Sequence, residues 1–210
     1  VLDRLALLQG EVAAMTATLR QADPEAAVPS CPGWTVADLA EHVIGVHRWA
    51  LAALDSEQAP AVPETPVTGP LADAYAAAAG DLLAVVSVRP ASSPAWTFDK
   101  HNRTAGFWVR RQLHEITVHR WDVAPFQIDP VVAEDGIDEV LDFMLPRQLA
   151  TGRITPPGGT LRLVSPDRTW QFGDGRPVHT AEGSPGELLL ALWGRGNADL
   201  GAWGRAGITP

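Results

Sequence analysis

The stretch Trp108–Asp122, WVRRQLHEITVHRWD, places two histidines, a glutamate, an aspartate and three arginines among aromatic and aliphatic residues. Read as a helix, it puts Arg111, Glu115 and His119 on one stripe at four-residue steps, with Asp122 three residues further on the same side. Two readings follow from that spacing. The stripe is either the salt-bridged surface of a solvated helix, or half of a metal site, since an imidazole nitrogen and a carboxylate oxygen one turn apart can both reach an ion about 2.0–2.2 Å away. Two ligands do not make a stable site, so the second reading requires a partner from a facing helix.

Outward from this segment the chain reads as further helices. Leu5, Leu8, Val12, Met15 and Leu19 recur at steps of three and four, which predicts a first helix from Leu2 to about Ala22, ended by Pro24 and Pro29. Thr35 is a good N-cap, with Asp38 in the place of the usual capping-box glutamate, so a second helix should run from Val36 to about Leu54. EQAPAVPETPVTGP, residues 57–70, is too rich in proline for helix or central strand and reads as a loop, the expected wall of a pocket. An alanine-rich third helix spans Leu71 to about Val88, AWTF (95–98) is a short strand or extended link, and the fourth helix covers Ala105 to about Val123. Four helices of this length suggest an antiparallel bundle.

Beyond Pro125 the texture changes. DGIDEVLDFMLPRQL reads as one amphipathic helix, TLRLVS and RTWQF as two strands about a tight PDR turn, and SPGELLLALWGR as a last helix with Ser184 as N-cap and Gly196 just past its end. The expectation is an α+β chain: residues 1–125 form a four-helix bundle and residues 130–210 a small α+β domain.

Composition excludes several classes. With 210 residues, 46% hydrophobic and 20% charged, the chain is long enough for one good core or two small ones. A net charge of -9, with lysine nearly absent, argues against nucleic acid as a partner. No apolar run of about 18 residues suggests a membrane span, and the N-terminal segment lacks the pattern of a signal peptide. One cysteine, Cys31, excludes an internal disulfide and reads as a structural thiol in a cytoplasmic protein, so thiol chemistry would need a thiol from outside.

The facing partner of the stripe is sought on the second helix. His42 sits with Leu39, Val46 and Trp49 at the edge of a buried face, and Asp38 one turn earlier could receive its second ring proton. His47 lies about 140° around the same helix, so both cannot serve one ion. His114, displaced by one position from Glu115, suits an outward or supporting role, and His101 in KHNR and His179 in a probable strand have weaker claims.

CPGWTVADLAEHVIGVHRW followed by RRQLHEITVHRWD resembles the mycothiol-dependent maleylpyruvate isomerase family of actinobacteria, a branch of the DinB-like metalloproteins. The resemblance covers roughly residues 1–125. It implies a DinB-like bundle in which His42, Glu115 and His119 bind a divalent metal, usually zinc, with nickel possible. The two C-terminal helical segments are similar to the family's small C-terminal domain, which resembles the sterol carrier fold; by that likeness Arg195 in ALWGR would help hold substrate.

Three protein ligands leave an open metal position, as in catalytic zinc sites. The resemblance implies mycothiol as co-substrate, activated there as a thiolate, in a monomer or weak dimer acting on a small molecule. In the isomerase chemistry the thiolate adds to a double bond, the resulting single bond rotates, and elimination regenerates the thiol. Arg111 and Asp122 would orient ligands or balance charge. Three alternatives stay open: a thiol S-transferase, a metal hydrolase, and a non-catalytic small-molecule or lipid-binding protein with a structural metal.

Overall fold

Helix formation follows the capping and burial pattern closely. The structure, a computed structural model, describes residues 2–61 and 67–204. Its first four helices are α1 (Arg4–Gln21), α2 (Val36–Leu54), α3 (Leu71–Val86) and α4 (Ala105–Val123). Asp3 caps α1 by accepting from the amide of Ala6. At α2 the capping box is complete: Thr35 accepts from the amide of Asp38 and the Asp38 carboxylate accepts from the amide of Thr35. Gly33, at φ +86°, makes the turn that delivers the chain to this cap.

These helices form the first of two compact units, which ends at Phe126. Helix α4 packs on α1 and α2, and α3 packs on the same two, so that successive helices α1 and α2 are not main neighbours, nor are α3 and α4. The long connections spanning residues 22–35 and 87–104 make such diagonal placement possible. Leu8, Met15, Leu39, Ile44, Tyr75, Leu82, Trp108, Leu113 and Ile116 fill the core.

AWTF forms no strand; an isolated bridge between Pro94 and Thr104 is the only pairing there. The segment is held by backbone bonds outside any sheet, from the amide of Ala95 to the carbonyl of Arg103 and from that of Trp96 to the carbonyls of Ala53 and Ser56, and by side chains. The Trp108 indole donates to the carbonyl of Trp96 at 2.6 Å, and Trp49 contacts Trp96, Phe98 and Trp108 with ring centroids 5.2–5.6 Å apart. Of the proline-rich stretch 57–70, residues 62–66 lie outside the described residues.

The second unit begins at Gln127. Its first helix starts earlier than the apolar pattern suggests: Asp129 caps α5 (Pro130–Glu139), with Pro130 in the first turn, where its missing amide costs nothing. The run is also not one α-helix. A π-helical segment, Val140–Met144, separates α5 from α6 (Leu145–Ala150), and the amide of Leu145 donates to the carbonyl of Val140 five residues back. Pro146 explains the break, because a proline cannot donate to the carbonyl four residues earlier and its ring clashes there; widening by one residue relieves both.

Strands β1 (Gly159–Val164), β2 (Thr169–Asp174) and β3 (Val178–Glu182) form one sheet in the order β2-β1-β3, antiparallel to β2 and parallel to β3. Leu163 pairs with Trp170 on one side and Ala181 on the other, giving the sheet one apolar face. Helix α7 (Pro185–Leu192) starts with a second capping box, Ser184 with Glu187, and packs on α5. It ends at Leu192, three residues short of Arg195: Gly194 at φ +72° takes the left-handed step past the C-terminus, and Gly196 at φ +70° takes a second one beyond it. The architecture is α+β, as the sequence predicts. No helix among the described residues is long and apolar enough to cross a membrane.

Candidate metal centre

Helix α4 lies between α1 and α2 and is buried on most of its surface, including Arg111, Gln112, His114, Glu115, Thr117, His119 and Asp122. Four-residue spacing places Glu115 and His119 side by side on it, and the α2–α4 packing brings His42 to the same point. The Glu115 Oε1 atom lies 3.1 Å from His42 Nε2 and 3.4 Å from His119 Nε2. All three candidate ligand atoms fall within 4.8 Å of one another. Ligands about 2.0–2.2 Å from a common tetrahedral centre lie roughly 3.3–3.6 Å apart, so these separations are close to the edges of a zinc-sized tetrahedron. His119 Nε2 is buried and has only the long 3.4 Å contact with Glu115 Oε1, a poorly satisfied position for a buried polar atom.

The surroundings orient both ligands of α4. Asp122 Oδ2 lies 3.0 Å from His119 Nδ1, which holds a proton on that nitrogen and leaves Nε2 as the ring atom facing Glu115. Asp122 itself accepts from Ser30 Oγ at 2.5 Å, and the Cys31 Sγ lies 3.8 Å from Oδ2. Arg111 donates to Glu115 Oε2 at 3.1 Å, reserving Oε1 for the histidines. Burial pushes the Glu115 carboxyl upward, but its bonds to His119 and His42 and the charges of His119 and Arg111 outweigh this and hold it well below the usual carboxylate range. For His119 burial acts downward, and Asp122, Cys31 and Glu115 together drive it well above an ordinary imidazole.

Residues 5–124 match the family model of the mycothiol maleylpyruvate isomerase N-terminal domain, and residues 131–210 match the MDMPI C-terminal domain. The chain belongs to the mycothiol maleylpyruvate isomerase family. Two solved structures share the fold, the mycothiol-dependent maleylpyruvate isomerase and a histidine-to-alanine mutant of it, with TM-scores of 0.73 and 0.72. Each is 16% identical and covers 99% of this chain and 95% of its own. No curated protein matches the sequence.

Within this family member, the remaining polar residues divide as follows. His47 is fully buried, with Nδ1 2.5 Å from Gln112 Oε1 and its ring 5.4 Å from that of Tyr75. Burial lowers its pKa to about 4, partly offset by Gln112 and Glu115. His114 is also fully buried, which removes the outward alternative of the two roles expected for it; α4 is packed against two helices and has little outward surface. His101 is exposed in the turn before α4, and His179 in β3 has Nε2 2.8 Å from the carbonyl of Asp199.

Asp38 is engaged in the helix cap and not with His42: its Oδ2 accepts from the amide and hydroxyl of Thr35, while His42 Nε2 lies against Glu115. Cys31 has neighbours that the sequence hides: His119 and Asp122 are ninety residues distant in the chain, and their ligand atoms lie within 4.8 Å of its sulfur or of each other. Arg195 lies in the second unit, buried, with Nη1 donating to the carbonyl of Trp193 at 2.6 Å. The opening beside His42 is lined by Gly33, Trp34, Asp38 and Glu41. No described part of the proline-rich stretch contributes to it.

Proposed function

We propose that His42, Glu115 and His119 hold a divalent metal, zinc or else nickel, and that the protein uses it with mycothiol in a thiol-dependent isomerisation or S-transfer. The observation that carries this reading is the convergence of His42 Nε2, Glu115 Oε1 and His119 Nε2 within 4.8 Å of one another, with Oε1 3.1 Å from the first nitrogen and 3.4 Å from the second. A metal held there would supply a Lewis acid that makes a bound small thiol a thiolate at neutral pH.

The chain's own residues do the positioning. Asp122 keeps the proton on His119 Nδ1, Arg111 balances the Glu115 charge, and the buried floor excludes water. In the isomerase form, a sulfur–carbon bond forms at one alkene carbon of an unsaturated acid and the electron pair moves to the conjugated carbonyl. Rotation about the new single bond and cleavage of the sulfur–carbon bond then return the thiol. Residues 1–125 would carry this chemistry.

Metal analysis of the purified protein tests the reading. About one zinc or nickel ion per chain is expected, lost in His42→Ala and in His119→Ala while helical circular dichroism is retained. Failure to take up either metal, with stability indifferent to chelators, would overturn it. Mycothiol titrated into metal-loaded protein should then perturb the metal's spectrum; no perturbation removes both thiol chemistries.

A further inference from the structure

Glu115 and Asp122, the two buried carboxylates of α4 beside the cluster, are each held through one oxygen and serve a histidine through the other. Glu115 keeps Oε1 for His42 and His119 while Arg111 donates to Oε2. Asp122 keeps Oδ2 for His119 Nδ1, and its Oδ1 accepts from the hydroxyl of Ser30 at 2.5 Å, 92 residues away in the chain. The Asp122 side chain has no exposed surface, so protein donors and not bulk water set its orientation. A carboxylate gripped through one oxygen alone can turn about its own axis. Gripped through both, it presents Oδ2 to the ring in one direction, and a ligand set works only when held within about 0.5 Å of its productive geometry.

Ser30 belongs to the connection between α1 and α2, which is closed by its own backbone bonds. The amide of Val28 donates to the carbonyl of Trp34, that of Cys31 to Val28, and that of Trp34 to Cys31, all at 2.9–3.0 Å, and Ala27 pairs with Thr35. The loop ends in the Thr35 cap, where the helix carrying His42 begins. One loop therefore reaches both helices of the centre: it starts α2, and through Ser30 it grips the carboxylate that turns His119 on α4. We infer that Ser30 is a positioning residue of the metal centre, whose hydroxyl holds Asp122 so that Asp122 holds the His119 ring in register with His42. This rests on the reading that His42, Glu115 and His119 bind a metal.

Competition of the full chain with a chromophoric chelator, for zinc or for nickel if that is the ion taken up, tests the role. Ser30→Ala should bind the metal about threefold to tenfold more weakly, a smaller loss than the roughly 10- to 100-fold of removing the carboxylate itself. Ser30→Thr keeps the hydroxyl and should stay within about twofold of the unaltered protein. In an Asp122→Ala background, Ser30→Ala should cost nothing further, because a residue that acts only through Asp122 then has nothing to act on. Undiminished affinity in Ser30→Ala overturns the inference, and so does an equal loss in Ser30→Thr. The same loss with Asp122 already removed also overturns it, by showing that Ser30 supports the loop and not the carboxylate. Each of these outcomes leaves the metal reading standing. If the unaltered protein binds neither zinc nor nickel, the metal reading fails and the inference with it.

Discussion

At the level of single residues, Asp122 and His47 show how differently two buried polar groups can act. Asp122 stands outside the His42–Glu115–His119 cluster, yet its 3.0 Å contact with His119 holds a proton on Nδ1 of that ring. Asp122→Asn keeps the shape and weakens the acceptor, so it should lower metal affinity by about 10- to 100-fold. Competition with a chromophoric chelator measures this, and unchanged affinity would show that Asp122 does not orient the ring. His47 acts through stability. Its pKa is lowered by burial from the ordinary 6.5 to about 4 in the folded chain. Above pH 6.5 the ring is neutral in both states and contributes no pH dependence. As pH falls from about 6.5 towards 4 the unfolded chain takes up a proton that the folded chain refuses, so stability drops, by something on the order of 3 kcal/mol when complete. Denaturant titrations at several pH values should show this slope in the parent and lose it in His47→Gln, which keeps a donor for Gln112 Oε1. A slope that survives the substitution assigns it to other groups.

At the level of elements, the two capping boxes give a matched pair of tests. Thr35→Ala and Ser184→Ala each remove one reciprocal cap, at about 1 kcal/mol, or a few degrees in Tm. The first also loosens the start of the helix that carries His42 and should weaken metal binding severalfold, whereas the second should leave it unchanged; calorimetry and metal titration of both variants make the comparison, and equal effects on metal would break the link from cap to site. These caps were legible because a Thr or Ser three residues before a carboxylate is a local signal. So was the Glu115–His119 pairing, which needs only a helical period, and the likeness carried by LHEITVHRW and AEHV extended it to His42. What was not legible depends on contacts distant in the chain. Nothing local distinguishes His114, buried between helices, from a solvated histidine, and nothing near Cys31 in sequence announces Asp122 or His119. The π-helical segment was signalled in part by Pro146, but a proline there predicts a break or kink as readily as a widened turn that keeps the helix going.

At the level of the whole molecule, a metal at this centre would cross-link α2 and α4, the pair that supplies all three candidate ligands. Neither β1–β3 nor α7 supplies one. Binding only to the folded state stabilises by mass action, by about 2.7 kcal/mol when free metal is a hundredfold above its dissociation constant. The division into two compact units means that this stabilisation need not spread evenly, and a single melting temperature averages over it. Hydrogen exchange resolves the location. After chelation, amides in the middle of α2 and α4 should exchange faster, because opening there no longer has to break metal bonds, while amides paired across β1–β2 and β1–β3 should keep their protection. Uniform acceleration in both units would mean that metal stabilises the chain as one cooperative block. No acceleration in α2 and α4, in protein shown to have lost its metal, would remove the cross-link itself. Because His42→Ala is expected to lose the metal, it should reproduce the chelated pattern in both α2 and α4 even when metal is supplied in solution, and retained protection of both helices would show that metal bonds through His42 do not hold them.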